Sequence, residues 1–239
     1  MRRLALIFAA FAAIISGCRN DSGLRGYWSS RTLDISDIAA AEAQFTDFVE
    51  LAVQAPEADA FAAVDCLLKK ARKDEVTYLV YADWIVRGFS SIASPCHSCA
   101  IFVHAADKIL SQGIVSSYDA DEIRRNREFC LHNRVGEKAE IPLLPGDDAV
   151  PANNRTLFLV VDQDCPTCTE SMGRFLLPEW VGTDLVALCY GHGPLPDTDG
   201  WNCRRIPSDQ NIFDTRQAPF FFVTAADGTV ETTYTSVYN

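Results

Sequence analysis

Two segments place cysteines two residues apart: Cys165-Pro166-Thr167-Cys168 and Cys96-His97-Ser98-Cys99. Thiols one helical turn apart can close a disulfide and exchange it with another molecule, or they can supply half of a tetrahedral metal site. The surroundings of the later pair favour exchange. Thr156 to Val161 is a short apolar run that reads as a buried strand, and a helix-like stretch runs from the cysteines to Trp180. A thiol at a helix start meets unpaired N–H groups and the positive end of the helix dipole, which stabilise a thiolate. Cys165 is therefore the candidate nucleophile and Cys168, one turn inside, the resolving thiol. Pro166 suits the first helical turn. The competing expectation is a structural disulfide between the same two residues.

The earlier pair follows Ser94-Pro95, which reads as an N-cap with Pro at the first helical position. Cys96 and Cys99 are thus a possible second disulfide or redox pair. In an oxidising compartment, stapling disulfides come first, for instance Cys99 or Cys96 with Cys130 or Cys66. A zinc site completed by Cys130 and His132 comes last. Cys189 lies in a buried-strand pattern and reads as a small core residue; Cys203, in a loop, could pair with it. His104 and His192 stand alone and earn no role. Tyr78, Tyr81 and Trp84 fit a helical core.

The compartment is read from the first eighteen residues. Arg2 and Arg3 precede twelve apolar residues, Leu4 to Ile15, too short a run to cross a membrane but of the length of a signal-peptide core. The run ends in Ile15-Ser16-Gly17-Cys18, which resembles a bacterial lipobox. That resemblance implies cleavage after residue 17, lipidation of Cys18 and a membrane anchor facing the periplasm. Arg19, where Asp would signal inner-membrane retention in some bacteria, favours the outer membrane. With 32 acidic against 21 basic residues and a net charge of -11, nucleic acid is not an expected partner, because phosphate binding needs clustered Lys and Arg.

The 239 residues divide by pattern. Residues 1–17 are the signal peptide and 18–33 a polar tether. Residues 34–134 form an all-helical domain: Asp34 reads as the N-cap of a first helix, Glu57 to Arg72 and Asp74 to Arg87 follow, a fourth helix opens at Ser94-Pro95, and Asp119 to His132 is the last. Gly, Pro and Asp cluster between Gly136 and Pro151, marking a boundary. In residues 135–239 the order is strand, CxxC, helix, strand (Asp184 to Tyr190), loop, and a hairpin, Pro219 to Thr224 and Thr229 to Thr235, around Asp227-Gly228.

CxxC at a strand-to-helix junction in an exported chain resembles the thioredoxin fold. Ala218-Pro219-Phe220-Phe221-Phe222-Val223 ahead of Asp227-Gly228 matches the cis-proline strand and hairpin of that family. Val135-Gly136-Glu137-Lys138-Ala139-Glu140-Ile141-Pro142 looks like the opening of TlpA/ResA-type members. The helical half looks like an uncharacterised domain that precedes a thioredoxin-like domain in certain bacterial lipoproteins. The resemblance implies an α+β chain: an N-terminal all-helical domain, then a thioredoxin-like α/β/α domain lacking the usual terminal helix. It also implies a redox-active centre, Cys165 and Cys168, with Pro219 and Ala218 shaping a substrate groove. The implied activity is that of an oxidoreductase performing thiol–disulfide exchange on exported proteins that carry thiols or disulfides, with no cofactor and no metal. The alternative is a non-catalytic envelope lipoprotein that uses the fold as a binding or structural module. Two positions depart from the family. Leu159 stands where a buried acid is usual, and Asp164 replaces the aromatic before the nucleophile, so reductase activity is expected to be slower.

Nothing long enough to form a helix follows Thr235, and 191–217 reads as loop. Strands this apolar need cover on both faces, so the helical half is expected to pack on the sheet or its edge; the alternative is that a second subunit or a partner supplies the cover. For the anchor, Cys18→Ala should leave unprocessed precursor or release soluble protein. Membrane fractionation checks it, and normal retention of a processed mutant would refute it.

Overall fold

The computed structural model describes residues 23–146 and 154–238. Cys18, the leader at 1–17 and part of the expected boundary lie outside the described residues. Five helices come first: α1 (Ile38–Gln54), α2 (Glu57–Ala71), α3 (Glu75–Ser90), α4 (Cys99–Gln112) and α5 (Ser117–Leu131). Five strands follow: β1 (Thr156–Asp162), β2 (Asp184–Tyr190), β3 (Trp201–Arg205), β4 (Phe220–Thr224) and β5 (Val230–Ser236), with a short helix α6 (Pro166–Glu170) after β1.

Helix starts are set by side chains that accept from orphan N–H groups. Asp37, Asp74, Ser98 and Ser116 do this for α1, α3, α4 and α5. Two starts differ from expectation. Asp34 does not cap α1; its carboxylate accepts from the N–H and hydroxyl of Ser36 at 2.9 and 2.7 Å, closing a local turn, and Asp37 takes the cap. Ser94 does not cap α4. Its hydroxyl donates to the Gly88 carbonyl at 2.6 Å, and His97 N–H bonds Ser94 O at 3.1 Å, so residues 94–97 form a turn folded back on α3. Ser98 is the cap and Cys99 the first helical residue.

The helical core is an aromatic cluster that includes Phe45, Phe48, Tyr81 and Trp84. The expected tether contributes to it. Trp28 is 0% exposed and meets Phe48 edge-on at 5.1 Å, and Lys70 Nζ donates to the carbonyls of Trp28, Ser29 and Arg31. The polar average of residues 18–33 hides two anchoring aromatics, Tyr27 and Trp28. A disulfide, Cys99–Cys130, ties the start of α4 to the end of α5 with Cα atoms 4.9 Å apart. Closing a loop of this size restrains the unfolded chain by about 3–4 kcal/mol.

The sheet order is β3-β2-β1-β4-β5. β1, β2 and β3 are parallel, whereas β4 is antiparallel to both β1 and β5. β3 lies within the stretch expected to be loop. It is a half-buried edge strand without an apolar run, and the glycines and prolines around it conceal it. The helix expected to reach Trp180 is also shorter: α6 has five residues and gives way to 3-10 turns at Ser171–Phe175 and Pro178–Trp180. Pro178 cannot continue a helix.

Alternation along the strands sorts two cores. One face carries Leu157, Leu159, Val161, Ala187, Cys189 and Val223, and it is covered by Cys168, Met172 and Phe175 from the segment after β1. The other carries Phe158, Val160, Val186, Leu188, Phe220, Phe222 and Tyr234, and it belongs to one continuous core with the helices. Phe129 of α5 stacks on Tyr234 at 4.2 Å and meets Phe220 edge-on at 5.8 Å. Phe213 completes the cover. Asn133, buried with φ 51°, bonds the Tyr234 hydroxyl at 3.0 Å and both backbone groups of Glu140. The helices therefore lie on the sheet, and no helix follows β5 among the described residues.

Residues 135–239 expressed alone should aggregate, and adding 34–132 in trans should restore solubility. In the whole chain, Phe129→Ala should cost about 3–5 kcal/mol in urea unfolding. A soluble, cooperatively unfolding 135–239 monomer would contradict this packing.

Candidate functional site

β1 brings the chain to the C-terminal end of the parallel strands, where Gln163 and Asp164 turn it into Cys165 and α6. The turn is closed by Cys165 N–H to Asp162 O at 3.3 Å and Cys168 N–H to Cys165 O at 3.1 Å. Both thiols are free. Their environments differ sharply: Cys165 is half-buried, whereas Cys168 is 2% exposed against the sheet. Burial first, then the hydrogen bond from the Cys165 thiol, pushes the Cys168 thiol well above its ordinary value. Leu159, below it, is fully buried, so β1 sets no ionisable group on this face beneath the pair.

Pro219 opens β4, and the Ala218–Pro219 peptide is cis. Because Phe220 pairs with Val160, Pro219 lies beside the end of β1 from which Cys165 emerges. Ala218 N–H bonds Thr215 O at 3.3 Å. The loop ahead of Pro219 is pinned to the helical half: Gln217 Oε1 accepts from Ile92 N–H, in the connection between α3 and α4, at 2.8 Å, and Arg216 Nη2 donates to Asn126 Oδ1 of α5 at 3.2 Å. Burial disfavours ionised Asp214, yet hydrogen bonds from Arg216 and Gln217 outweigh it and hold the carboxyl low.

Several residues here were not singled out by sequence reading. Tyr190 ends β2 opposite Asp162 and donates its hydroxyl to Thr215 O at 2.7 Å; burial, then the charge of Asp162, pushes its phenol up. Arg205 Nη1 donates to Gln163 Oε1 and Gly191 O, and Nη2 to Gly193 O, each at 2.8 Å. The Asp164 carboxylate accepts from the N–H groups of His192 and Gly193 at 3.1 and 3.2 Å. It therefore serves as an anchor for the loop after β2. Gly191 has φ 103°, and a Cβ there would meet Asp164 Oδ2 at 2.9 Å, so this position needs glycine twice over. None of these contacts has a local signature in the sequence, because each joins segments far apart in the chain.

Five further cysteines fall into two places, while Cys66 is buried on α2. Cys189 and Cys203 are both free, on neighbouring strands under the same face as Cys168. Burial, then the charge of Cys203, pushes the Cys189 thiol up to about 12. Cys96 and Cys99 do not pair with each other. The turn at 94–97 sends Cys96 into the helical core as a buried free thiol, and Cys99, the first residue of α4, bonds Cys130. With those two sulfurs joined, the four-residue zinc set is not assembled; His132 bonds Glu140 at 3.1 Å instead. His104 stacks on Phe61 at 4.4 Å and bonds Asp65 at 2.9 Å, an ordinary structural role.

No family model and no curated protein matches this chain. Among solved structures, it is similar to the crystal structure of a thioredoxin-like protein from Bacteroides caccae ATCC 43185, at 13% identity and a TM-score of 0.73, over 90% of this chain and 88% of that one. That likeness spans helices and sheet together and shows that the chain has a thioredoxin-like fold.

Proposed function

We propose that this chain exchanges thiols and disulfides with exported polypeptides, as an oxidoreductase of the TlpA/ResA type held at the periplasmic side of the cell envelope by a lipid on Cys18. The observation that carries the reading is the asymmetry of the pair. A half-exposed thiol at a strand-to-helix turn touches a buried one, beside a cis-proline that opens the adjacent strand. In the reducing direction, the Cys165 thiolate attacks one sulfur of a substrate disulfide and the other leaves as a thiol. Cys168 then gives up its proton and attacks Cys165, releasing the second substrate thiol and leaving a Cys165–Cys168 disulfide. Two electrons and two protons pass to the substrate. The strand edge at Pro219 and Ala218 is the place for the substrate backbone. The leader, the lipobox-like Ile15-Ser16-Gly17-Cys18 and the cysteine content support the envelope setting.

The second reading, a binding or structural module on the same fold, is favoured by one observation: Leu159 leaves Cys168 without a buried acid to take its proton. Reactivity separates the two. After mild reduction, iodoacetamide near pH 8 should label Cys165 and spare Cys168, whose thiol burial keeps protonated until well above the usual thiol range. Mass mapping of the alkylated cysteines reads this out, and equal or absent labelling favours the module.

Trapping tests the exchange itself. Cys168→Ala removes the resolving thiol, so mixed disulfides with envelope proteins should accumulate on Cys165 and vanish in the Cys165→Ser/Cys168→Ala double variant. Non-reducing gels without any adduct dependent on Cys165 would sink the proposal.

A further inference from the structure

The Cys99–Cys130 disulfide does not sit in a closed core. It lines a cavity of about 720 Å³ between α2, α4, α5 and the segment after α5, with apolar Val103, Leu131 and Val135 around it and charged Glu57, Asp107 and Arg134 also in its wall. A cleft of this size holds several side chains of a peptide. The two sulfurs are unequal. Cys99 is partly exposed at the first position of a fourteen-residue helix, and Cys130 is 1% exposed. His97 also lines the cavity, and its Nε2 lies 3.7 Å from Cys99 Sγ. Its Nδ1 is buried and closes no hydrogen bond of good geometry. A disulfide that only stapled two helices would need neither an open cleft nor an imidazole beside its accessible sulfur.

We propose that Cys99–Cys130 is a second exchange site, at which a polypeptide thiol seated in this cleft attacks Cys99 while His97 serves as the base.

Burial holds the His97 imidazole below its ordinary value, against the pull of the Phe89 and Ser90 carbonyls, so the ring is neutral near pH 7 and able to take a proton. The substrate sulfur bonds to Cys99 Sγ as the Cys99–Cys130 bond breaks. The electron pair of that bond goes to Cys130, and the proton released by the incoming thiol ends there by way of His97. A second thiol of the same polypeptide then attacks the substrate sulfur of the mixed disulfide and releases Cys99 as a thiol. The substrate dithiol has become a disulfide, and Cys99 and Cys130 have gained two electrons and two protons. A disulfide-bonded polypeptide runs the same steps backwards. Attack falls on Cys99 because Cys130 is out of reach; in the second step Cys99 is the leaving sulfur, and the helix start favours negative charge there.

This site stands apart from Cys165 and Cys168, so the test is made in the whole chain carrying Cys165→Ser and Cys168→Ser. The probe is a short, mostly apolar synthetic peptide with one cysteine, in reduced form, compared with dithiothreitol under native conditions. The expected product is a peptide adduct on Cys99 with Cys130 as a free thiol, alkylated after acid quenching and denaturation and located by mass mapping. His97→Gln should slow adduct formation by about tenfold or more without moving the unfolding midpoint. Val135→Trp, which obstructs the cleft, should slow the peptide but not dithiothreitol, and it keeps the test decisive if the His97 variant does not fold. Three results would overturn the proposal: an adduct on Cys130, disulfide opening that tracks global unfolding across a urea series, or an unchanged peptide rate in whichever of the two variants folds.

Discussion

A sheet that is apolar on both faces has to be covered twice, and the rest of this molecule is arranged around that constraint. One face is covered locally by the segment that follows β1 and carries Cys168, Met172 and Phe175. The other has no downstream helix to cover it among the described residues and takes its cover from upstream, through Phe129 on Tyr234 and Phe220. Aromatic contacts of this kind contribute area burial plus roughly 0.5–1.5 kcal/mol of ring geometry each. Asn133 satisfies the polar groups at the seam, where an unpaired buried hydroxyl or amide would cost about 1–3 kcal/mol.

The same packing positions the candidate site. Cys168 is buried because it belongs to the cover of the first face, and that burial is what makes the two thiols unequal. The loop before Pro219 is held by Gln217 on Ile92 and Arg216 on Asn126, so the chain beside Cys165 rests on α5 and on the connection between α3 and α4. On the opposite side, Arg205 and Asp164 fix the loop after β2 by hydrogen bonds to backbone. The turn that carries Cys165 is thus clamped from both flanks by groups that take no part in the exchange proposed for it.

Much of this was legible in the sequence, for physical reasons that differ by element. Thr156 to Val161 and Asp184 to Tyr190 read as buried strands because they are continuous apolar runs, and Asp227-Gly228 read as a hairpin because few other residues make that turn. The helices were visible in their periodicity, but two starts were misplaced: several Ser and Asp residues precede α1 and α4, and only tertiary contacts decide which one caps. β3 was hidden because an edge strand needs no apolar run. Trp28 was hidden in polar surroundings. The choice of Cys130 over Cys96 as the partner of Cys99 depends on how α4 lies on α5, which no local spacing encodes. Tyr190 and Arg205 act through partners distant in sequence and carried no mark of their own.

The origin of the cover for the second face has a bearing on how the chain is made. Synthesis proceeds from the N-terminus, and early segments fold or collapse before later ones appear. The helices, already closed around Trp28, Phe45 and Phe48, are in place before Phe158, Phe220, Phe222 and Tyr234 emerge. The strands that need this cover therefore meet a surface prepared to receive them. A rearranged chain with the strands first would present the same residues in the reverse order, leaving Phe220, Phe222 and Tyr234 to wait uncovered until α5 arrived.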